Sequence, residues 1–229
     1  MVLLRIILKG KTMKIACLHT AQSNVDVFEH AAREVGIPAG TLSHQVMPHL
    51  LAQAEAAGGM TPEIEKETIA ALAELRTDAD VVLLTCSTLG SAANYLAQDP
   101  GIVRVDLALA QEAAAARAGG PVVVLCAAPT TIKPTAALFR AVAPNAPLAV
   151  ELIPGAWDAF KAGQLEAYFA MIAERAQQAL DEGAGCVALA QASMAGAKSR
   201  ITHPKVLTSP HSALHREWTR LQSIFGAQA

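Results

Sequence analysis

Short apolar runs alternate along the chain with longer segments of helical spacing. The clearest run is Val81–Leu84, whose unbroken apolar character is typical of a strand buried on both faces. Further strands are predicted where similar runs occur, at 14–18, 41–46, 101–106, 122–125, 148–153 and 205–207, and another begins at Gly185. Strands that alternate with helices predict an α/β fold with parallel sheets.

Helices are predicted between these strands, at 25–34, 47–57, 61–76, 107–118, 156–180 and 213–224. The helix at 61–76 has Thr61 as a cap and Pro62 at its first position, which is a typical helix start. The long segment 156–180 is expected to be interrupted near Gly163, because glycine favours helix ends. A Gly-Gly-Pro sequence at 119–121 separates the two halves of the chain.

The second half of the chain repeats the pattern of the first. Residues 79–88 align with residues 184–193, so that Cys86 falls on Gln191 and Thr88 falls on Ser193. The repeat predicts two pseudo-symmetric lobes, each a parallel sheet flanked by helices, with the active site in the cleft between them. We expect residues 13–113 and 208–229 to form the first lobe and residues 114–207 to form the second.

Composition narrows the class of protein. The 229 residues carry a net charge of −2, which argues against a nucleic-acid-binding surface, and no apolar run reaches the roughly 18 residues of a membrane span. The four cysteines lack metal-ligand spacing, so reduced thiols and a cytoplasmic location are expected. Met13 directly precedes the first predicted strand, so residues 1–12 are expected to be an extension or a misassigned start.

Cys86 is the main candidate for a catalytic residue. It follows the buried strand Val81–Leu84 and precedes a predicted helical segment at 91–96, and ligands of α/β sheets bind at this edge. The N–H groups and dipole at a helix start favour a thiolate, which is a nucleophile and a base. The alternative is that Cys86 is buried packing, as most cysteines are. Its polar neighbours Thr85, Ser87 and Thr88 favour a pocket.

Other polar residues at strand ends are candidates for the same cleft. His211 follows the last strand and could serve as acid or base near neutral pH, or it could be a surface residue. His44 has a similar but weaker claim. Asn24 could bind substrate or cap a helix. Hydroxyl groups that could bind a carboxylate or an enolate-like intermediate are expected at Ser87, Thr88, Thr130, Thr131 and Ser193.

Several other features are expected to be structural or absent. Trp157, Phe160 and Tyr168 are expected to pack helices. The seven histidines show no i, i+4 pair with a carboxylate between, so no metal site is expected. No glycine-rich phosphate loop follows a strand, so no nucleotide cofactor is expected.

The segments Thr85-Cys86-Ser87-Thr88 and Leu189-Ala190-Gln191-Ala192-Ser193-Met194 resemble the two active-site motifs of the aspartate/glutamate/hydantoin racemase superfamily. The resemblance implies two lobes with the active site between them, no cofactor, a small-molecule substrate and frequent assembly into homo-oligomers. It also implies that one thiol from each lobe acts on opposite faces of the substrate α-carbon. This chain departs from the pattern, because Ser87 stands where asparagine is usual and Gln191 replaces the second cysteine.

The replacement of the second thiol leaves three interpretations open, because a neutral amide is neither acid nor base near pH 7. Cys86 could work with another group, such as His211 or His44, and retain isomerisation. Cys86 could act alone as a nucleophile, as in the maleate isomerase branch of the superfamily. The cleft could instead bind, cleave or hydrolyse another compound. We predict a cofactor-independent isomerase of a small carboxylate or cyclic amide, with Cys86 as the thiolate and Gln191 as a substrate-binding residue.

Overall fold

The computed structural model describes residues 13–201 and 203–226, and the extension expected at 1–12 lies outside them. The first lobe is built on a four-stranded parallel sheet with the strand order β2-β1-β3-β4. Its strands are β1 (Ile15–His19), β2 (Leu42–Val46), β3 (Val81–Leu84) and β4 (Ile102–Arg104). The connecting helices are α1 (Asn24–Val35), α2 (Pro48–Ala56), α3 (Pro62–Arg76) and a 3₁₀ helix (Ser87–Leu96).

The second lobe repeats this arrangement with a four-stranded parallel sheet in the order β6-β5-β7-β8. Its strands are β5 (Val122–Cys126), β6 (Leu148–Leu152), β7 (Cys186–Leu189) and β8 (Val206–Thr208). The helices of this half are α4 (Val105–Ala116), α5 (Ile132–Val142), α6 (Ala156–Lys161), α7 (Leu165–Asp181), α8 (Ser209–Gly226) and two 3₁₀ helices (Pro129–Thr131 and Ala192–Arg200). The matching strand orders confirm the predicted α/β fold with two similar lobes.

Two helices connect the lobes by crossing between them. Helix α4 follows the first sheet, yet Leu109 and Ala113 pack against strands of the second sheet. Helix α8 follows the second sheet, yet Leu214 and Trp218 pack in the core of the first. The two helices also pack against each other. The expected lobe boundary at 113/114 falls inside α4 and stays a prediction.

Local sequence signals account for most element boundaries. The Thr61 hydroxyl accepts a hydrogen bond from the Ile64 N–H at the start of α3, as a cap residue should. Gly163, with φ of +71°, separates α6 from α7 at the predicted interruption. Pro134 lies in the first turn of α5, where proline is tolerated. None of the helices among the described residues is long and apolar enough to cross a membrane.

Candidate active site

A small cavity lies where the carboxyl ends of the central strands of the two sheets meet. Its volume is about 30 Å³, which is room for one or two water molecules. The first lobe lines it with residues that follow β1 and β3 and with Leu51 of α2, and the second lobe lines it with residues that follow β5 and β7 and with Trp157 and Phe160. In this conformation the cavity is too small for a substrate of more than a few atoms.

Cys86 lines this cavity directly before the 3₁₀ helix Ser87–Leu96, and its side chain is nearly buried. The Thr20 and Thr88 hydroxyls and the backbone N–H groups of Thr88 and Leu89 lie near the sulfur and lower the pKa of the thiol. Burial raises the pKa of the Cys86 thiol, and these donors offset only part of that increase. In the closed cavity, the desolvation of a thiolate therefore outweighs the donors at the helix start, and the catalytic role of Cys86 as a thiolate stays a prediction.

Gln191 holds the corresponding place in the second lobe, directly before the 3₁₀ helix Ala192–Arg200. Its Oε1 accepts hydrogen bonds from the backbone N–H groups of Ala127 at 2.6 Å and Ala128 at 2.8 Å. Two donors on one atom require the carbonyl oxygen there, so the orientation of the amide is settled. The amide nitrogen has no partner among the described residues and can donate to a ligand. Gln191 can thus bind a substrate oxygen, but it cannot transfer a proton.

Hydrogen bonds join the lobes around the cavity. The Ser87 hydroxyl donates to the Ala190 carbonyl oxygen of the other lobe at 2.9 Å. In this conformation it therefore cannot donate the same proton to a ligand. The hydroxyls of Thr88 and Thr130 are 3.1 Å apart. At the mouth, the indole N–H of Trp157 donates to Glu55 at 2.5 Å. These contacts hold the lobes closed in this conformation.

The structure brings most of the predicted site residues together with Cys86. The cavity lining includes Asn24, Ser87, Thr88, Thr131, Gln191 and Ser193. Asn24 does not use its side-chain oxygen for capping, because that atom is buried without a partner among the described residues. Thr130 lies outside the lining and borders an adjoining cavity, although it contacts Thr88.

The two histidines that were considered as partners of Cys86 do not line the cavity. His211 is exposed in the first turn of α8, stacks on His215 with ring centroids 6.0 Å apart, and borders a different cavity of about 750 Å³. The reason is topological, since His211 follows the edge strand β8 rather than the central strand β7. His44 lies behind Thr85 in a hydrogen-bonded chain. Cys86 is the only titratable side chain among the described residues of the lining.

Aromatic side chains form the apolar side of the cavity, which sequence reasoning did not identify. Trp157 and Phe160 pack against the core of the second lobe, as expected, and they also stack on each other with centroids 5.0 Å apart and line the cavity. Tyr168 is fully buried, as expected of a packing residue, but its hydroxyl is 2.9 Å from Ser193 Oγ. Burial raises the pKa of the Tyr168 phenol, so it stays neutral while it positions Ser193.

A chain of polar side chains behind the cavity was also missed. His19 Nδ1 lies 2.9 Å from Thr85 Oγ1, and His19 Nε2 lies 2.9 Å from His44 Nδ1. His44 Nε2 is 3.1 Å from a carboxylate oxygen of Glu29. Burial lowers the pKa of His19 to about 3, with a smaller contribution from His44, so His19 is neutral. The alternation of Cys17 and His19 on one strand was the signal in the sequence.

Comparison with known proteins gives a consistent picture of the fold. The sequence matches no protein-family model and no curated protein. Among solved structures, a glutamate racemase (RacE1) from Bacillus anthracis superposes with a TM-score of 0.67 at 11% identity, over 96% of this chain and 85% of that one. An aspartate racemase homologue from Pyrococcus horikoshii gives 0.64 at 16% identity, over 92% and 99%. Allantoin racemase from Klebsiella pneumoniae gives 0.61 at 14% identity, over 93% and 89%.

The chain therefore shares the two-lobe fold of these racemases over nearly its whole length. At these identities the likeness establishes the fold. What the protein does has to be argued from the cleft itself.

Proposed function

We propose that the protein is a cofactor-independent isomerase of a small carboxylate or cyclic amide, and that Cys86 is its one reactive group. The observation that carries this proposal is the lining of the cleft, where Cys86 is the only titratable side chain among the described residues. The racemases that share the fold support the class of reaction. Alternatives on the same fold are a lyase, a hydrolase and a binding protein without catalytic activity.

The lining indicates how a substrate would be held. No charged side chain lines the cavity among the described residues, so a carboxylate or an amide must be bound by neutral donors. The amide nitrogen of Gln191 and the hydroxyl of Ser193 are available from the second lobe. Thr88 and Asn24 face them from the first lobe. Trp157 and Phe160 supply an apolar wall for the carbon skeleton.

With a single thiol, isomerisation can follow two routes. In the first, the Cys86 thiolate removes a proton from the α-carbon, neutral donors stabilise the enolate-like intermediate, and the thiol returns the proton to the same face. Inversion would then require solvent to deliver a proton from the Gln191 side. Exchange of the α-proton with solvent would therefore be faster than racemisation. In the second, the thiolate forms a C–S bond to a conjugated double bond. Rotation about the resulting single bond and cleavage of the C–S bond then give the other geometric isomer.

Both routes can be tested in one experiment. Proton NMR in D₂O would follow a panel of amino acids, hydantoins and maleate-like diacids with wild type and Cys86→Ala, and with Cys126→Ala as the matched control. Cys126 is a buried thiol at the end of β5 and lies outside the cavity lining. Loss of α-deuteration or of maleate conversion in Cys86→Ala alone would support the proposal and identify the route. Equal activity in Cys86→Ala would refute it.

The expected cytoplasmic location and homo-oligomeric assembly stay predictions. All four cysteines are free thiols, which suits a reducing compartment. Size-exclusion chromatography with light scattering would determine the number of subunits.

A further inference from the structure

The strand register of the first lobe brings a thiol and two imidazoles together beneath the cleft. Cys17 and His19 alternate on β1 and so share one face of the sheet, and Cys17 pairs with His44 on the neighbouring strand β2. One ligand atom from each of these three residues lies within 4.8 Å of the others. Cys17 and His19 are fully buried, and the His44 side chain is 13% exposed.

The hydrogen bonds around the two imidazoles determine where their lone pairs point. Thr85 Oγ1 donates its proton to the Leu18 carbonyl oxygen, so it accepts from His19 Nδ1–H, and His19 Nε2 keeps a lone pair. The Glu29 carboxylate accepts from His44 Nε2–H. His44 Nδ1 faces His19 Nε2 at 2.9 Å. If both rings are neutral, two lone pairs face each other, and this contact is unfavourable unless a cation lies between them.

This cation is either a proton on His44 or a metal ion, and the surroundings favour the metal. Each imidazole has an outer partner on its other nitrogen, Thr85 for His19 and Glu29 for His44, as metal-binding histidines generally do. A thiol lies within reach of both rings, and a thiol with imidazoles suits zinc-class ions. A divalent ion, the Cys17 thiolate and the Glu29 carboxylate together carry no net charge. The desolvation cost of burying this group is therefore smaller than that of burying a single charge.

We propose that Cys17, His19 and His44 form a three-ligand site for a zinc-class divalent ion beneath the cleft. Binding deprotonates Cys17, releases that proton to solvent and leaves a fourth coordination position for water. Ligands of a tetrahedral zinc ion stand roughly 3.4 Å apart, so the two rings must separate by about half an ångström. The ion would fasten β1 to β2 next to Thr20 and Thr85, the residues that lead into the Cys86 pocket. The site was not expected from sequence because its ligands come from adjacent strands.

The test is titration of the chelator-treated full-length protein with Co²⁺, followed by absorption spectroscopy. We expect one equivalent to bind with a sulfur-to-cobalt charge-transfer band, and Zn²⁺ to displace it. Cys17→Ser should lose the band, and Cys86→Ala should keep it. A band that is absent in wild type, or one that disappears in Cys86→Ala and persists in Cys17→Ser, would overturn the proposal.

A second variant tests the proposal even if the buried Cys17→Ser substitution prevents folding. His44→Gln changes the most accessible ligand and should weaken Co²⁺ binding by at least about tenfold. The matched control is His49→Gln, which changes an exposed histidine that pairs with Glu67 on the neighbouring helix. Equal Co²⁺ affinity in the two variants, with unchanged circular dichroism, would also overturn the proposal.

Discussion

Cys86 and Gln191 occupy equivalent positions in the two lobes and are used in different ways. Each residue has extended backbone angles (φ −99° and ψ 112° for Cys86, φ −109° and ψ 142° for Gln191) and directly precedes a 3₁₀ helix. Donors that follow β1 and β3 in the first lobe lower the pKa of the Cys86 thiol, whereas the Gln191 oxygen accepts hydrogen bonds from the backbone that follows β5 in its own lobe. The cleft is therefore symmetric in backbone and asymmetric in chemistry.

Removal of the Gln191 amide should destabilise the second lobe. Gln191→Ala leaves the buried N–H groups of Ala127 and Ala128 without an acceptor, and each unsatisfied group costs about 1–3 kcal/mol. We expect the free energy of unfolding in urea to fall by about 2 kcal/mol or more. The matched control is Gln177→Ala, whose amide pairs with Asp181 on an exposed helix face and should change stability by less than about 0.5 kcal/mol. Similar losses in both variants would contradict the role of Gln191.

A second thiol at position 191 should allow proton transfer on both faces of the substrate α-carbon. Gln191→Cys places an acid opposite Cys86, so racemisation of a substrate found by α-deuteration should rise by at least about tenfold. The measurement is loss of optical rotation from each enantiomer. Gln191→Ser is the control, because serine has nearly the size of cysteine and does not act as an acid near neutral pH. A well-folded Gln191→Cys protein with unchanged racemisation would argue against the proposed equivalence of Cys86 and Gln191 in catalysis.

The sequence predicted what depends on a single strand and the loop that follows it. The apolar run Val81–Leu84 places Cys86 at a ligand-binding edge, and the sequence repeat aligns Cys86 with Gln191. Both predictions follow from local pattern, because residues after a central parallel strand reach the same edge whatever the rest of the fold.

Features that depend on the order of the strands or on the packing of the lobes could not be predicted from the sequence. The contact of His19 with His44 requires that β2 lies beside β1, and the position of His211 depends on β8 being an edge strand. The bond from Trp157 to Glu55 joins residues far apart in the chain and exists only because the lobes close. The raised pKa of Cys86 likewise follows from its burial in the folded protein.

The reactivity of Cys86 should increase with pH throughout the neutral range. Burial raises the pKa of this thiol, so the thiolate fraction grows about tenfold per pH unit, and iodoacetamide labelling should do the same from about pH 7 to pH 9 without a plateau. Thr20→Val removes a donor that lowers the pKa, so labelling should be several-fold slower at each pH.

Controls for the labelling experiment come from the same chain. Cys126 is fully buried, and burial raises the pKa of its thiol to about 11, so peptide mapping should find it labelled much more slowly than Cys86. Thr77→Val removes a hydroxyl that bonds to Glu74 on an exposed helix end and should leave the Cys86 profile unchanged. A plateau in wild-type labelling near neutral pH would indicate a resting thiolate and contradict the prediction.

The hydrogen bond from Trp157 to Glu55 should control how often the cleft opens. Trp157→Phe keeps an aromatic ring against Phe160 but loses the indole N–H, and Glu55→Ala loses the acceptor. The bond is worth about 1 kcal/mol, so each variant should label at Cys86 roughly fivefold faster than wild type, because the reagent enters a 30 Å³ cavity only after the lobes separate. Glu55→Gln retains an acceptor oxygen and should label at nearly the wild-type rate.

If Glu55→Gln accelerates labelling as much as Glu55→Ala, the negative charge of Glu55 rather than the hydrogen bond keeps the lobes closed. If all three variants label at the wild-type rate, entry to the Cys86 pocket does not depend on this contact.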